Sequence, residues 1–194
     1  MAAPGAGGRR PEIRTAYSGR WLHFRVAGYA DAAGHRHDWE YVDREGLRPA
    51  ALVVARLVPS GDLILVRQER AAMGGPTVEF PAGLVDEGES VEQAALRELR
   101  EETGYRGQVG RVSPVLATSP GLTSERAYLV ELEIPEADRE NASPSAQPDA
   151  GEQIEVLRVS MAEALDRLTE LSRTGVVIDS RVWAWVAARC PERG

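Results

Sequence analysis

Glu98, Glu101 and Glu102 lie in the run VEQAALRELREET at spacings i, i+3 and i+4. On a helix that spacing gathers three carboxylates on one face. Their repulsion costs about 0.2–0.5 kcal/mol per exposed pair, and a hard divalent cation with oxygen ligands relieves it most directly. The other reading of such a stretch is a solvated helix laced by Arg97 and Arg100. The helix itself is marked at both ends. Ser90 with Gln93 forms a capping-box start, and Gly104 stands where a left-handed residue closes a helix, so residues 91–103 are predicted helical. Val91, Ala95 and Leu99 recur every four residues and supply its inward stripe.

Other elements must hold that helix in place. Residues 13–44 read as strands, with WLHFRVAGYA and HRHDWEYVDR around a turn at Asp31-Ala-Ala-Gly34. AALVVARLV (50–58) and DLILVRQE (62–69) are apolar strands separated by Pro59-Ser60-Gly61, and TVEF is a shorter one after the break at Met73–Pro76. QVGRVSPVLA and RAYLVELEI predict two strands flanking Ser119-Pro120-Gly121, and IEVLRVS another. Ser160 and Glu163 suggest a capping box for a helix with Leu165, Leu168 and Leu171 inward, ended by Gly175. A last helix, about 180–189, carries Val182, Trp183, Trp185 and Val186. Residues 135–151 form a long aperiodic stretch, a length that is usually functional or disordered. Strands mixed with three helices predict an α/β (α+β) layered fold.

The 194 residues, 43% hydrophobic and 27% charged, suit one globular domain with a small appendage. A net charge of -7 argues against non-specific nucleic-acid or acidic-membrane binding. Cys190 is the single cysteine, which excludes an intramolecular disulfide and a cysteine-rich zinc site. The start, MAAPGAGGRR, has no apolar signal core and no run is long enough to span a bilayer, so a cytoplasmic location is expected. His23, His35 and His37 have no zinc-ligand spacing and read as surface strand or turn residues.

Gly83, Glu89, Arg97, Glu98, Leu99, Glu101, Glu102 and Gly104, with a bulky apolar residue at Tyr105, fill every defined position of the Nudix box. The chain resembles the Nudix hydrolases. GRWLHFR, HDWEYVDR, VRQERAAMGG, VEFPAGLVDEGE, SPGLTSER and GEQIEV, in that order over roughly residues 18–190, resemble its ADP-ribose pyrophosphatase and ADP-sugar diphosphatase branch. Pro120, fifteen residues past Tyr105, matches the placement in that branch. The resemblance implies an α/β/α sandwich with a mixed sheet. Residues 1–10, rich in Gly, Ala and Pro, are expected to be disordered; the remainder divides into an N-terminal β region at 11–47, to which the resemblance gives dimerisation and base stacking, and a hydrolase domain at 48–194.

The resemblance also implies Mg²⁺, with Mn²⁺ as a substitute, held by Glu98, Glu102, the auxiliary Glu101 and the Ala82 carbonyl. Arg97 then orients the cluster through Glu89, or is simply a surface partner of Glu101. Trp21 and Trp39 correspond to an aromatic pair that stacks on adenine from two subunits of a homodimer; without the resemblance they read as core or interface packing. Glu40 and Arg44 are placed near the nucleotide, Arg70 as a phosphate clamp, Leu84 along the pocket and Ser119 near the sugar. Glu152 matches a general base and reads equally as an ordinary loop glutamate. Four residues depart from the branch: Glu69 where an aromatic is common, Ala71 and Ala72 where proline is common, and Ser119 where an acid can stand.

The implied activity is hydrolysis of the pyrophosphate of ADP-ribose or a related ADP-sugar to AMP and a sugar phosphate. The alternatives are UDP-sugars or oxidised nucleotides as substrates, or a non-catalytic module that binds ADP-ribose. The box glutamates are all present, which argues against the last.

Overall fold

The computed structural model describes residues 11–44, 46, 48–147 and 153–190. Residues 1–10, expected to be disordered, and Glu152 lie outside the described residues. Two compact units are formed, Met1–Pro49 with Val115–Ala127, and Ala50–Pro114 with Tyr128–Gly194. Val115–Ala127, which lies within the 48–194 span of the sequence reading, clusters with the N-terminal strands.

In the first unit, β1 (Glu12–Ser18), β2 (Leu22–Ala30) and β3 (Arg36–Arg44) form an antiparallel sheet in sequence order. The expected hairpin is thus extended by β1. Its turn is held by Asp31, whose Oδ1 accepts from the Ala33 and His35 N–H groups at 2.9 Å each. His37 foremost, with those N–H groups, holds the Asp31 carboxyl down to about 2. The 115–127 segment is tied to β3 through Val42, whose N–H donates to Leu122 O (2.9 Å) and whose carbonyl accepts from Ser124 N–H (3.1 Å).

The second unit begins with β4 (Ala50–Val58), β5 (Leu63–Arg70), β6 (Gly75–Glu79) and β7 (Ala82–Leu84), followed by the helix α1 (Val91–Thr103) and β8 (Gln108–Val112). After the short β9 (Leu116–Ala117) of the first unit come β10 (Arg126–Pro135), β11 (Ile154–Val159), α2 (Ala164–Arg173), β12 (Val177–Ile178) and α3 (Ser180–Ala187). The main sheet runs β12-β6-β5-β4-β10-β8, with β11 on β5 and β7 on β4. It is mixed, because β12 pairs parallel to β6 while β5 and β6 are antiparallel.

Two apolar layers flank it, because successive strand residues alternate faces. Ala51, Val53, Ala55 and Ile64 pack with Ala95 and Leu99 of α1. Val54, Leu63 and Leu65 pack with Leu168 of α2 and Val182, Trp185 and Val186 of α3. This is the expected α/β sandwich with helices on both faces of a mixed sheet.

Helix α1 follows its sequence signals closely. Gln93 N–H donates to Ser90 Oγ (3.2 Å) and Ser90 N–H to Gln93 Oε1 (2.9 Å), both halves of the capping box. Two other expectations need correction. The Ser160/Glu163 capping box does not form: Glu163 N–H donates to the Ser160 carbonyl (3.1 Å), making a turn, and α2 starts only at Ala164. The strand expected over QVGRVSPVLA is broken at Ser113–Pro114. Proline has no N–H for a ladder, and Ser113 Oγ accepts from Leu129 N–H (2.9 Å).

The first part of the long aperiodic stretch is anchored at the C-terminal end of α1. Asn141 is buried; its side chain accepts from Arg106 N–H (2.8 Å) and donates to the Arg106 and Pro135 carbonyls (2.9 and 3.0 Å). Gln147 N–H donates to Glu101 O (2.7 Å). Gly104, at φ +76°, faces this segment, and a Cβ there would lie 2.3 Å from the Ser145 nitrogen. Gly104→Ala is expected to cost about 2 kcal/mol or more of unfolding free energy in urea titration, since both the backbone conformation and the contact oppose a side chain. A cost below a few tenths would show that the segment does not press on the helix end.

Candidate active site

The box residues converge where α1 crosses β7. Strand β7 is held by antiparallel pairing to β4, with Ala82 opposite Leu52, Gly83 opposite Ala51 and Leu84 opposite Ala50. Val53 N–H donates to Pro81 O (2.8 Å) just before it. Glu98 lies directly on this strand. A Cβ added to Gly83 would come within 1.8 Å of Glu98 Oε1, so only glycine admits the carboxylate. One turn further on, Glu102 is 5% exposed and accepts from Ala82 N–H at 3.1 Å.

Arg97 connects the rest. Its Nε and Nη2 donate to the two oxygens of Glu89 at 2.9 and 3.0 Å, a bidentate pair. Nη1 donates to Glu98 Oε1 (2.7 Å) and Glu101 Oε2 (3.1 Å), and Nη2 also reaches the Leu84 carbonyl (3.1 Å). Glu101 is thus one partner of Arg97 among several. The bonds from Arg97 foremost hold the Glu89 carboxyl below its ordinary value. The Arg97 guanidinium is pushed higher still, chiefly by Glu89.

Among the described residues no three His, Cys, Asp or Glu side chains are gathered tightly enough to coordinate a metal ion. Glu98 and Glu101 accept from Arg97, and Glu102 accepts from the Ala82 N–H. The donor chemistry nevertheless fits a hard divalent cation. Glu98 and Glu102 sit one helical turn apart beside a backbone strand, and every donor they offer is oxygen.

Arg70 is held by Glu79, Nε to Oε1 at 2.9 Å and Nη2 to Oε2 at 2.8 Å. Glu79, and Thr77, whose hydroxyl donates to it, escaped the sequence reading. The alternation of TVEF, with Thr77 and Glu79 on one strand face, was the only signal for them.

The remaining candidates belong to the first unit. Trp21 is 62% exposed with the Arg20 guanidinium over its ring, and Trp39 is 48% exposed on β3 opposite Ala27. Neither is core. Trp39 and Glu40 are strand neighbours and therefore point to opposite faces, so one face of β3 does not present both. Arg44 faces Glu125 at 4.0 Å, and the Ser119 carbonyl closes its turn by accepting from Leu122 and Thr123 N–H (2.9 Å each). Trp183 is exposed, whereas Trp185 is buried against Phe80.

Residues 46–177 match the NUDIX domain. The chain belongs to the Nudix hydrolase family. It is 37% identical over 175 residues to the ADP-sugar pyrophosphatase of Mus musculus, covering 86% of this chain and 80% of that one. It is 31% identical over 171 residues to the ADP-ribose pyrophosphatase of Saccharomyces cerevisiae, covering 84% and 74%. A solved structure described as an ADP compounds hydrolase shares the fold, with a TM-score of 0.65 at 24% identity over 85% of this chain and 86% of that one. Among the described residues of this Nudix hydrolase, no helix is long and apolar enough to cross a membrane.

Removing the central guanidinium leaves three carboxylates of one sign together. Arg97→Ala is expected to lose about 2 kcal/mol of stability at neutral pH. Glu89 is depressed in the folded state, so its contribution is present above the unfolded glutamate value near ~4.3 and lost as pH falls through the folded value. The gap between wild type and Arg97→Ala in urea unfolding should therefore narrow as pH falls from neutral through the folded-state value of Glu89, which lies below the unfolded one. A gap that persists undiminished in acid would remove the ionic account of Arg97.

Proposed function

We propose that this chain hydrolyses the pyrophosphate bond of ADP-ribose or a related ADP-sugar, releasing AMP and a sugar phosphate. The observation that carries the reading is the pair of α1 carboxylates, Glu98 and Glu102, packed against the backbone of Ala82 and Gly83. The named activities of the mouse and yeast relatives, matched over most of the chain, support the choice of substrate.

Glu98 and Glu102, with the Ala82 carbonyl and Glu101 as auxiliary, would hold Mg²⁺ or, as a substitute, Mn²⁺. A divalent cation there supplies charge neutralisation at the pyrophosphate oxygens and a more acidic water. The protein's own residues do the rest. Arg97 ties Glu98 and Glu101 to Glu89 through one guanidinium, so that the carboxylates stay oriented. Arg70 binds a phosphate through its planar fork, which suits phosphate oxygens better than the point charge of lysine. Leu84 lines the pocket through its backbone. Glu152 receives the proton of the attacking water in this scheme.

The nucleotide half falls to the N-terminal unit. Exposed indoles on a small sheet suit base stacking, worth about 1–3 kcal/mol per base. Trp21 and Trp39 are assigned to adenine, Glu40 and Arg44 to the nucleotide and Ser119 to the sugar side. A homodimer in the cytoplasm completes the reading. The row of Ile13, Ala27 and Trp39 across β1, β2 and β3, with Ile13 and Trp39 exposed, supports a second copy as its cover.

Incubation with ADP-ribose and Mg²⁺ should release AMP, and EDTA should abolish it. Glu102→Gln is expected to lower kcat at least ~100-fold with an unchanged far-ultraviolet circular dichroism spectrum. Light scattering should return twice the chain mass. AMP release that is equal with Mg²⁺ and EDTA would refute the metal assignment, and turnover only of UDP-sugars to UMP or of 8-oxo-nucleotides to their own monophosphates would replace the substrate.

A further inference from the structure

We infer that Glu79, backed by Thr77, is the positioning group that sets the Arg70 guanidinium for the substrate's pyrophosphate. This inference rests on the ADP-ribose reading above and on the role that reading gives Arg70. Strands β5 and β6 pair with Arg70 opposite Gly75, Gln68 opposite Thr77 and Val66 opposite Glu79. Residues two apart share a face, so Arg70, Gln68, Thr77 and Glu79 stand together on one side of the sheet.

That side can be identified from its neighbours. Ile64 shares the parity of Arg70 on β5 and packs in the core beneath α1, whereas Leu63 and Leu65 pack beneath α2 and α3. Arg70 therefore stands on the face of the sheet that α1 covers, the face of the glutamate cluster. Thr77 lies between Gly75 and Glu79 on the same face of β6, and the Arg70 side chain meets the Glu79 carboxylate with both Nε and Nη2.

Glu79 is itself fixed. Its side chain is 13% exposed, and the buried Thr77 donates its hydroxyl to Oε1. Burial pushes the Glu79 carboxyl up, and Asp179 adds to that, but the bonds from Arg70 and Thr77 outweigh them and leave it below its ordinary value. It is thus a charged anchor at neutral pH. The two parallel N–H···O bonds fix the plane of the guanidinium as well as its position. A long side chain held in one rotamer beforehand also loses less entropy on clamping an anion.

Steady-state kinetics on the full chain with ADP-ribose test this, using wild type, Glu79→Gln, Arg70→Ala and the double variant. Glu79→Gln is expected to raise KM about tenfold with kcat within ~3-fold, and Glu79→Asp to recover part of the loss. In the Arg70→Ala background, Glu79→Gln should leave KM unchanged, since residues acting through one another are not additive. Unchanged KM in Glu79→Gln, or a second multiplication of KM in the double variant, would overturn the positioning role. Should Glu79→Gln not fold, Thr77→Val is read instead; a KM rise of about threefold supports the role and an unchanged KM overturns it. A wild type that leaves ADP-ribose intact would refute the substrate reading and this inference with it, whereas an active wild type with an additive cycle refutes only the inference.

Discussion

The hydrolase unit depends on one guanidinium. Four carboxyl groups, at Glu89, Glu98, Glu101 and Glu102, crowd the meeting of α1 with its preceding loop and β7, and Arg97 contacts three of them together with the Leu84 carbonyl. A planar fork with five donors can satisfy partners in several directions at once, whereas an ammonium presents a single compact charge. Arg97 thereby joins the helix to the loop at Glu89 and to the strand end at Leu84. A surface of like charges becomes a fixed arrangement rather than a source of repulsion.

Backbone placement decides whether those carboxylates are useful. Pairing of β7 with β4 holds Ala82 and Gly83 against the helix, and the missing side chain at Gly83 lets Glu98 approach the strand. At the other end of α1, Asn141 and Gln147 hold the next segment to the helix terminus. The helix is therefore clamped along its length by parts of the chain remote in sequence. The same arrangement explains two glycines by two different needs, close approach at Gly83 and a left-handed turn under a packed backbone at Gly104.

Much of this could be read from residue types. Ser90, Gln93 and Gly104 set the ends of α1, and Ala95 and Leu99 its buried stripe, because caps and periodicity act within a few residues. The apolar runs at 50–58 and 62–69 became the central strands β4 and β5. Local signals also misled. Ser160 and Glu163 have capping-box spacing, yet the chain there makes a turn first, and Pro114 divides a strand that composition had joined. Trp183 and Trp185 looked alike in sequence and differ in the fold, one exposed and the other against Phe80.

The chain order of Gly83, Glu89, Arg97, Glu98, Glu101 and Glu102 was enough to establish the family and the kind of chemistry, since that pattern lies within one short strand, the loop after it and one helix. Which oxygen faces which donor was not written there. The sharing of Arg97 by three glutamates, the seat of Glu102 on the Ala82 N–H, and the grouping of Val115–Ala127 with the first strands all arise from contacts the folded backbone creates. The Arg70–Glu79 pair shows the cause most plainly. A one-residue shift in the register of β5 against β6 would put those side chains on opposite faces, and register is set by the packing of the whole sheet rather than by either strand alone.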